Sequence, residues 1–192
     1  MPTIQSFKDG ERIIIAIHGW TGNINSLKLL SKQWEFPATK WIHIQGPYKA
    51  KPKGFSWFKG NDQNGWEYKR SFDLLNHTIQ NLVENGYRLK NIFMLGFSQG
   101  ACLAMEFMIK QGFSIGGIIP ISGFIKNKSY FNRAENILSK DTAVLLFHGE
   151  KDHIISAKES RIAFELFMGL GYKTDLYIFK GGHKIPLGAK RL

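Results

Sequence analysis

Short runs of apolar, mostly β-branched residues alternate along the chain with longer segments whose apolar residues recur at helical spacing. The short runs predict six buried strands, and the longer segments predict helices between them. We expect the strands at 12–18, 41–44, 91–95, 115–121, 143–147 and 175–179. Alternating strands and helices are typical of a parallel sheet covered on both faces. The pattern therefore predicts an α/β fold with a mostly parallel sheet, in a single domain over residues 1–192.

The segments between the strands predict five helices, of which the first and the one in a polar stretch are short. They lie at 25–34, 72–86, 99–110, 125–140 and 156–167. Asn25 is expected to cap the first helix, and Ser156 and Glu159 have the spacing of a capping box. Residues 46–66 predict instead a long loop rich in Gly, Pro, Lys and aromatic residues, and loops of that length are often functional.

The pentapeptide 96–100, Gly-Phe-Ser-Gln-Gly, lies between a predicted strand and a predicted helix. A Gly-x-Ser-x-Gly sequence in that place is typical of a nucleophile elbow, a turn so tight that the residues flanking Ser98 must be small. The turn exposes the hydroxyl at a helix N-terminus, which favours developing negative charge. The alternative is an incidental serine in a glycine-rich turn.

A serine hydroxyl is a poor nucleophile until a base takes its proton, and the base needs an orienting acid. After an elbow of this kind the acid comes first and the histidine later, each just beyond a strand. Asp152 and His183 have those positions. The rivals, Glu150 as acid and His153 as base, lack the expected place in their loop.

Acyl transfer also requires two backbone N–H groups that stabilise an oxyanion, one after the nucleophile and one in the loop after an early strand. Gln99 is expected to supply the first and Trp20 the second. His18, at the end of the first predicted strand, has two interpretations. We favour a bracing role through hydrogen bonds to the loop over a role as base.

Cysteine and charge exclude several other classes of protein. Cys102 is the single cysteine, and no spacing of Cys or His residues predicts a metal site, so we expect neither disulfide, metal nor cofactor. The N-terminus has no leader pattern and the apolar run 13–17 is too short to cross a bilayer, which predicts a cytoplasmic protein. The net charge is +11, but the basic residues are scattered, so we expect no nucleic-acid partner.

The loop at 46–66 combines lysines with aromatic residues. Trp57, Phe58 and Trp66 are candidates for substrate binding, and the lysines are candidates for attracting an anionic head group or, transiently, a membrane surface. These lysines are Lys49, Lys51, Lys53 and Lys59. The alternative is that the lysines are only solvated and the aromatic residues hold the loop to the core.

Together these motifs resemble the phospholipase/carboxylesterase family of α/β-hydrolases, which includes carboxylesterases, lysophospholipases and acyl-protein thioesterases. The resemblance implies that Ser98 is the nucleophile, Asp152 the acid and His183 the base, and that the N–H groups of Trp20 and Gln99 form the oxyanion hole. The matching segments are His-Gly at 18–19, Gly-Phe-Ser-Trp-Phe at 54–58, the elbow at 96–100, Ser-Gly at 122–123, His-Gly at 148–149 with Asp152, and Gly-His at 182–183.

Two departures from the family pattern concern the substrate more than the chemistry. Trp20 stands where the family often has leucine, which narrows the expected acyl pocket. Nine residues follow His183, so we expect the last helix to be shortened.

Three functions fit the sequence. The first is a serine hydrolase that cleaves a carboxylic ester, thioester or lysophospholipid through an acyl-enzyme. The second is a dienelactone-hydrolase-like lactone hydrolase, for which a cysteine nucleophile is expected instead of Ser98. The third is a non-catalytic binding protein on a hydrolase scaffold. The acyl chain, the leaving group and the oligomeric state do not follow from the sequence.

Overall fold

The computed structural model describes residues 10–61, 63–133 and 137–188. The strands are β1 (Arg12–Ile17), β2 (Thr39–Ile44), β3 (Tyr48–Lys49), β4 (Phe55–Ser56), β5 (Lys59–Asn61), β6 (Gly65–Glu67), β7 (Ile92–Phe97), β8 (Gly117–Ile121), β9 (Ala143–Gly149) and β10 (Thr174–Phe179). The α-helices are α1 (Lys28–Gln33), α2 (Lys69–Glu84), α3 (Gln99–Met108), α4 (Lys128–Arg133) and α5 (Ala157–Gly169).

Six strands form one sheet in the order β10-β9-β8-β7-β1-β2, and every neighbouring pair is parallel. These are the six predicted strands, with ends shifted by a few residues. Successive residues of β1 point to opposite faces: Ile13, Ile15 and Ile17 join the apolar cluster that contains α2, α3 and α5, whereas Ile14 and Ala16 join the cluster that contains α1. Burial on both faces explains the unbroken apolar run and confirms the predicted α/β class.

The starts of two helices differ from prediction. Asn25 does not cap α1, because the helix begins at Lys28 and its cap position is Leu27. Asn25 lies in a preceding turn, where its N–H donates to the side chain of Asn23. At α5, Ser156 is the cap as expected, but it accepts from the N–H of Lys158. The Glu159 carboxylate pairs with Lys128 at 2.8 Å, so the reciprocal half of the capping box is not made.

The segment predicted as a long loop contains two small antiparallel hairpins, β3–β4 and β5–β6. The prediction of an unpaired loop was wrong because strands of two or three residues leave no readable alternation of apolar and polar residues. Gly54 has a φ of 79° and stands against the carbonyl of Thr21, so the first hairpin packs on the loop after β1.

The polar stretch 125–140 holds the short helix α4, and residues 134–136 of that stretch lie outside the described part. No helix in the described ranges is both long and apolar enough to span a bilayer.

Candidate active site

Ser98 stands between β7 and α3 with a φ of 54°, a conformation that non-glycine residues rarely adopt. The two flanking glycines are required by close backbone contacts. A Cβ at position 96 would lie 2.3 Å from the carbonyl oxygen of Gly100, and a Cβ at position 100 would lie 2.2 Å from that of Ile17. The turn is further fixed by the Ser98 N–H, which donates to Ile121 of β8 at 2.8 Å. The elbow therefore has the steric basis predicted from its sequence.

The structure brings Ser98, His183 and Asp152 into one hydrogen-bonded chain. The Ser98 hydroxyl lies 3.0 Å from His183 Nε2, and His183 Nδ1 lies 2.7 Å from Asp152 Oδ2. With a proton on Nδ1, the imidazole donates to the carboxylate and can accept from the serine. The ring of Phe97 packs against His183 with its centre 4.9 Å away, which limits rotation of the imidazole.

The Asp152 carboxylate is fully buried and accepts hydrogen bonds at both oxygens. Oδ1 accepts from the N–H groups of Ile154 and Ile155, each at 2.9 Å, while Oδ2 faces His183. Burial alone would raise the pKa of Asp152. The hydrogen bonds from Ile155, His183 and Ile154 outweigh that effect, so the pKa lies below its ordinary value and the group is held ionised.

Asp152 and His183 lie in neighbouring loops that approach closely. A Cβ at position 149 would lie 2.3 Å from the carbonyl oxygen of Gly182, so only glycine fits there. The Lys151 N–H donates to Gly181 at 2.8 Å. The two rivals considered from the sequence, Glu150 and His153, are exposed and take no part in the chain of hydrogen bonds from Ser98 to Asp152.

His18 braces the loops around the elbow, as expected. Its Nε2 accepts from the N–H of Gly46 at 3.0 Å, so the ring proton is on Nδ1, which lies 2.7 Å from the carbonyl of Gly19. Burial lowers the pKa of His18, against a smaller opposite effect of the Gly19 hydrogen bond, which favours this neutral form.

The two residues predicted for the oxyanion hole flank the elbow. Gln99 is the first residue of α3, where an N–H has no acceptor within the helix. Trp20 lies in a tight turn closed by a hydrogen bond from Gly22 to Gly19, which leaves the Trp20 N–H out of the closing bond. Trp20 as a whole residue is 59% exposed. The part of these N–H groups in catalysis stays a prediction.

The side chain of Gln99 has a second role that the sequence did not reveal. Its Oε1 accepts from the N–H of Trp57 at 2.9 Å and lies 3.2 Å from the hydroxyl of Ser56. This contact joins the first hairpin, β3–β4, to the elbow. The hairpin therefore lies on the same edge of the sheet as Ser98, as expected from the topology. The only sequence signal was the glutamine beside the serine.

The three aromatic candidates for substrate binding occupy different environments. Trp57 is fully buried, with its ring nitrogen donating to His18 at 2.7 Å, so the structure places it in the core and gives it no surface for a substrate. Phe58 and Trp66 line a cavity of about 260 Å³ together with Lys126, whose Nζ lies 3.6 Å from the centre of the Trp66 ring. Ser98 does not line this cavity.

The four lysines of the loop segment, Lys49, Lys51, Lys53 and Lys59, are all exposed. Lys53 precedes Gly54, which packs against Thr21, and so lies near the loop that carries Trp20. Their contact with a substrate or a membrane stays a prediction.

Comparison with curated proteins finds relatives with partial coverage. An acyl-protein thioesterase 1 of Kluyveromyces lactis is 34% identical over 114 residues, which cover 58% of this chain and 49% of the relative. A hydrolase of Schizosaccharomyces pombe described as uncharacterised is 28% identical over 139 residues, which cover 62% of this chain and 58% of the relative. The chain therefore matches less than two thirds of the length of these relatives.

Among solved structures, the crystal structure of Arabidopsis thaliana SOBER1 superposes with a TM-score of 0.81 at 18% identity, over 94% of both chains. At that identity the likeness shows a shared fold. A model of the family described as phospholipase/carboxylesterase matches residues 2–188. The chain thus belongs to the phospholipase/carboxylesterase family of α/β-hydrolases.

Proposed function

We propose that the protein is a serine hydrolase that cleaves carboxylic esters or thioesters through an acyl-enzyme intermediate. The observation that carries the proposal is the continuous chain of hydrogen bonds from Ser98 through His183 to Asp152, built on a strained elbow. In this proposal Ser98 is the nucleophile, His183 the base and Asp152 the orienting acid.

In the first half-reaction, Ser98 Oγ bonds to the carbonyl carbon while its proton passes to His183 Nε2. The carbonyl oxygen becomes an oxyanion, for which the N–H groups of Gln99 and Trp20 are the proposed donors. Collapse of the tetrahedral intermediate breaks the bond to the alcohol or thiol, which takes the proton from His183. The acyl group stays on Ser98.

In the second half-reaction, His183 takes a proton from water, whose oxygen attacks the acyl carbon. The second tetrahedral intermediate releases the carboxylic acid, and the proton returns to Ser98. Asp152 remains ionised throughout, because the N–H groups of Ile154 and Ile155 stabilise its charge, and it stabilises His183 while that ring is cationic.

The substrate class is proposed from the family and from the surface near the elbow. One relative is named an acyl-protein thioesterase, which makes a thioester a substrate to test beside oxygen esters. The exposed lysines of residues 49–59 support an anionic substrate such as a lysophospholipid, or brief contact with an anionic membrane surface. A cytoplasmic location is part of the same proposal, tested by fractionation and imaging of the native protein.

A lactone hydrolase with a cysteine nucleophile finds no support in the position of Cys102. Its side chain is fully buried in α3, and burial together with the nearby Glu106 raises the pKa of the thiol. A buried thiol that stays protonated is a poor nucleophile.

The test is a fluorophosphonate probe followed by a panel of p-nitrophenyl esters, acyl-thioesters and lysophospholipids. The wild type should react with the probe, and Ser98→Ala should remain folded, fail to react and lose about 10⁶-fold in kcat. A wild type that turns over no member of the panel and resists the probe would instead favour the non-catalytic binding protein.

A further inference from the structure

A second histidine lies beside the carboxylate of Asp152, near the same oxygen that His183 contacts. His148, the residue before the last of β9, has its Nε2 3.3 Å from Asp152 Oδ2, and the side chains of both residues are fully buried. The same Nε2 lies 2.8 Å from the carbonyl oxygen of Ile155. The other ring nitrogen, Nδ1, lies 2.6 Å from the hydroxyl of Ser160 in α5.

These partners determine where the His148 proton lies. A carbonyl oxygen only accepts, so Nε2 carries the proton and donates it to Ile155, while Asp152 Oδ2 lies 3.3 Å from the same nitrogen. In the neutral ring Nδ1 is then an acceptor, and the Ser160 hydroxyl donates to it. The ring is fixed at both ends, by the turn 152–155 and by the first part of α5.

We propose that His148 is a positioning residue that holds the Asp152 carboxylate in the orientation needed by His183. This inference rests on the proposed function and adds a residue to it. Oδ1 is held by two backbone N–H groups and Oδ2 by His183 at 2.7 Å, while His148 Nε2 lies 3.3 Å from Oδ2. By donating to the Ile155 carbonyl, His148 fixes the turn whose N–H groups hold the carboxylate.

A purely structural role is the competing explanation, since a buried histidine that joins β9 to α5 also contributes to stability. The two roles differ in what they require of Asp152. Positioning acts through the carboxylate, so replacing His148 should matter little once the carboxylate has been removed. A structural contribution of His148 is independent of that group, so its loss should appear both in the wild type and in Asp152→Asn.

The experiment compares two substitutions that divide the contacts of the ring. His148→Asn keeps an amide near the position of Nδ1 and removes the donor to Ile155 that lies beside Asp152. His148→Gln places its amide N–H near the position of Nε2 and keeps that donor. The matched control is His153→Asn, which changes an exposed histidine next to the same acid.

We expect His148→Asn to lower kcat about 10- to 100-fold with little change in KM, because small displacements of catalytic groups have effects of that size. His148→Gln should recover most of the loss, and His153→Asn should behave as wild type. In an Asp152→Asn background, His148→Asn should reduce kcat by less than about twofold more. A full loss in both backgrounds, or no loss in either, would overturn the proposal.

A second measurement does not depend on turnover. The His183 Nδ1 proton, bonded to Asp152, is expected far downfield in the proton NMR spectrum of the wild type. It should weaken or shift in His148→Asn and persist in His148→Gln, and persistence in both would count against positioning.

If His148→Asn does not fold, Ser160→Ala removes only the hydroxyl bonded to Nδ1 and should shift the same signal, whereas an unmoved signal there would overturn the proposal. A wild type that turns over no ester or thioester and resists the fluorophosphonate probe would refute the proposed function, and the NMR signal would still decide the role of His148.

Discussion

Replacing Gln99 by methionine tests the contact that joins the hairpin segment to the elbow. Methionine has a similar volume and shape but offers no comparable acceptor, so the substitution removes the oxygen that accepts from Trp57 and Ser56. The backbone N–H of residue 99, the proposed oxyanion donor, remains in place.

The magnitude follows from the two donors. The N–H of Trp57, a residue with no exposed surface, loses its acceptor at 2.9 Å, and a buried donor without a partner costs about 1–3 kcal/mol. The Ser56 hydroxyl loses less, because it lies closer to the carbonyl of Phe58, at 2.7 Å, than to Gln99, at 3.2 Å. The free energy of unfolding should therefore fall by about 1–3 kcal/mol, nearly all of it from Trp57.

Urea denaturation at neutral pH measures this change, with Gln63→Met as the matched control. Gln63 is exposed in the second hairpin, so its replacement should change the unfolding free energy by less than about 0.5 kcal/mol. For hydrolysis of a short ester, kcat of Gln99→Met should fall far less than kcat of a variant without the orienting acid, for which a loss of about 10⁴-fold is expected. A Gln99→Met protein as stable as the Gln63 control would refute the assignment of this contact.

Three further predictions concern the acid and the lysines. Asp152→Asn should lower kcat about 10³- to 10⁴-fold, because the amide cannot hold His183 in the productive tautomer, and a larger loss in Glu150→Gln would show that the acid is misassigned. The pKa of Asp152 is lowered in the folded protein, so its ionised form stabilises the fold above the unfolded value, about 3.9, and that contribution is lost as the pH falls through the folded value. The difference in unfolding free energy between wild type and Asp152→Asn should thus shrink as the pH is lowered below about 4, and a constant difference would contradict the lowered pKa. Replacing Lys49, Lys51 and Lys53 by glutamine should reduce kcat/KM selectively for an anionic ester at low salt, whereas equal effects on anionic and neutral esters would leave these lysines as ordinary surface.

The sequence by itself determined the strands, their alternation with helices and the elbow. Strands buried on both faces leave continuous apolar runs, as at 13–17, so burial is readable from residue type alone. The elbow is equally readable, because a Cβ at position 96 or 100 would meet backbone atoms at distances that no side chain tolerates. The order of Ser98, Asp152 and His183 predicted their meeting, although Ser98 and His183 are 85 residues apart.

Only the tertiary structure decided the surroundings of these residues. Trp57 belongs to a segment that resembled an exposed loop, yet it is buried because His18, Gln99 and Ser71 satisfy its polar groups from three other parts of the chain. The place of His148 beside Asp152 likewise depends on its hydrogen bonds to Ile155 in the turn and to Ser160 in α5. Hydrogen bonds of this kind depend on the direction of particular side chains, which hydrophobic periodicity does not encode because it records only which residues are buried.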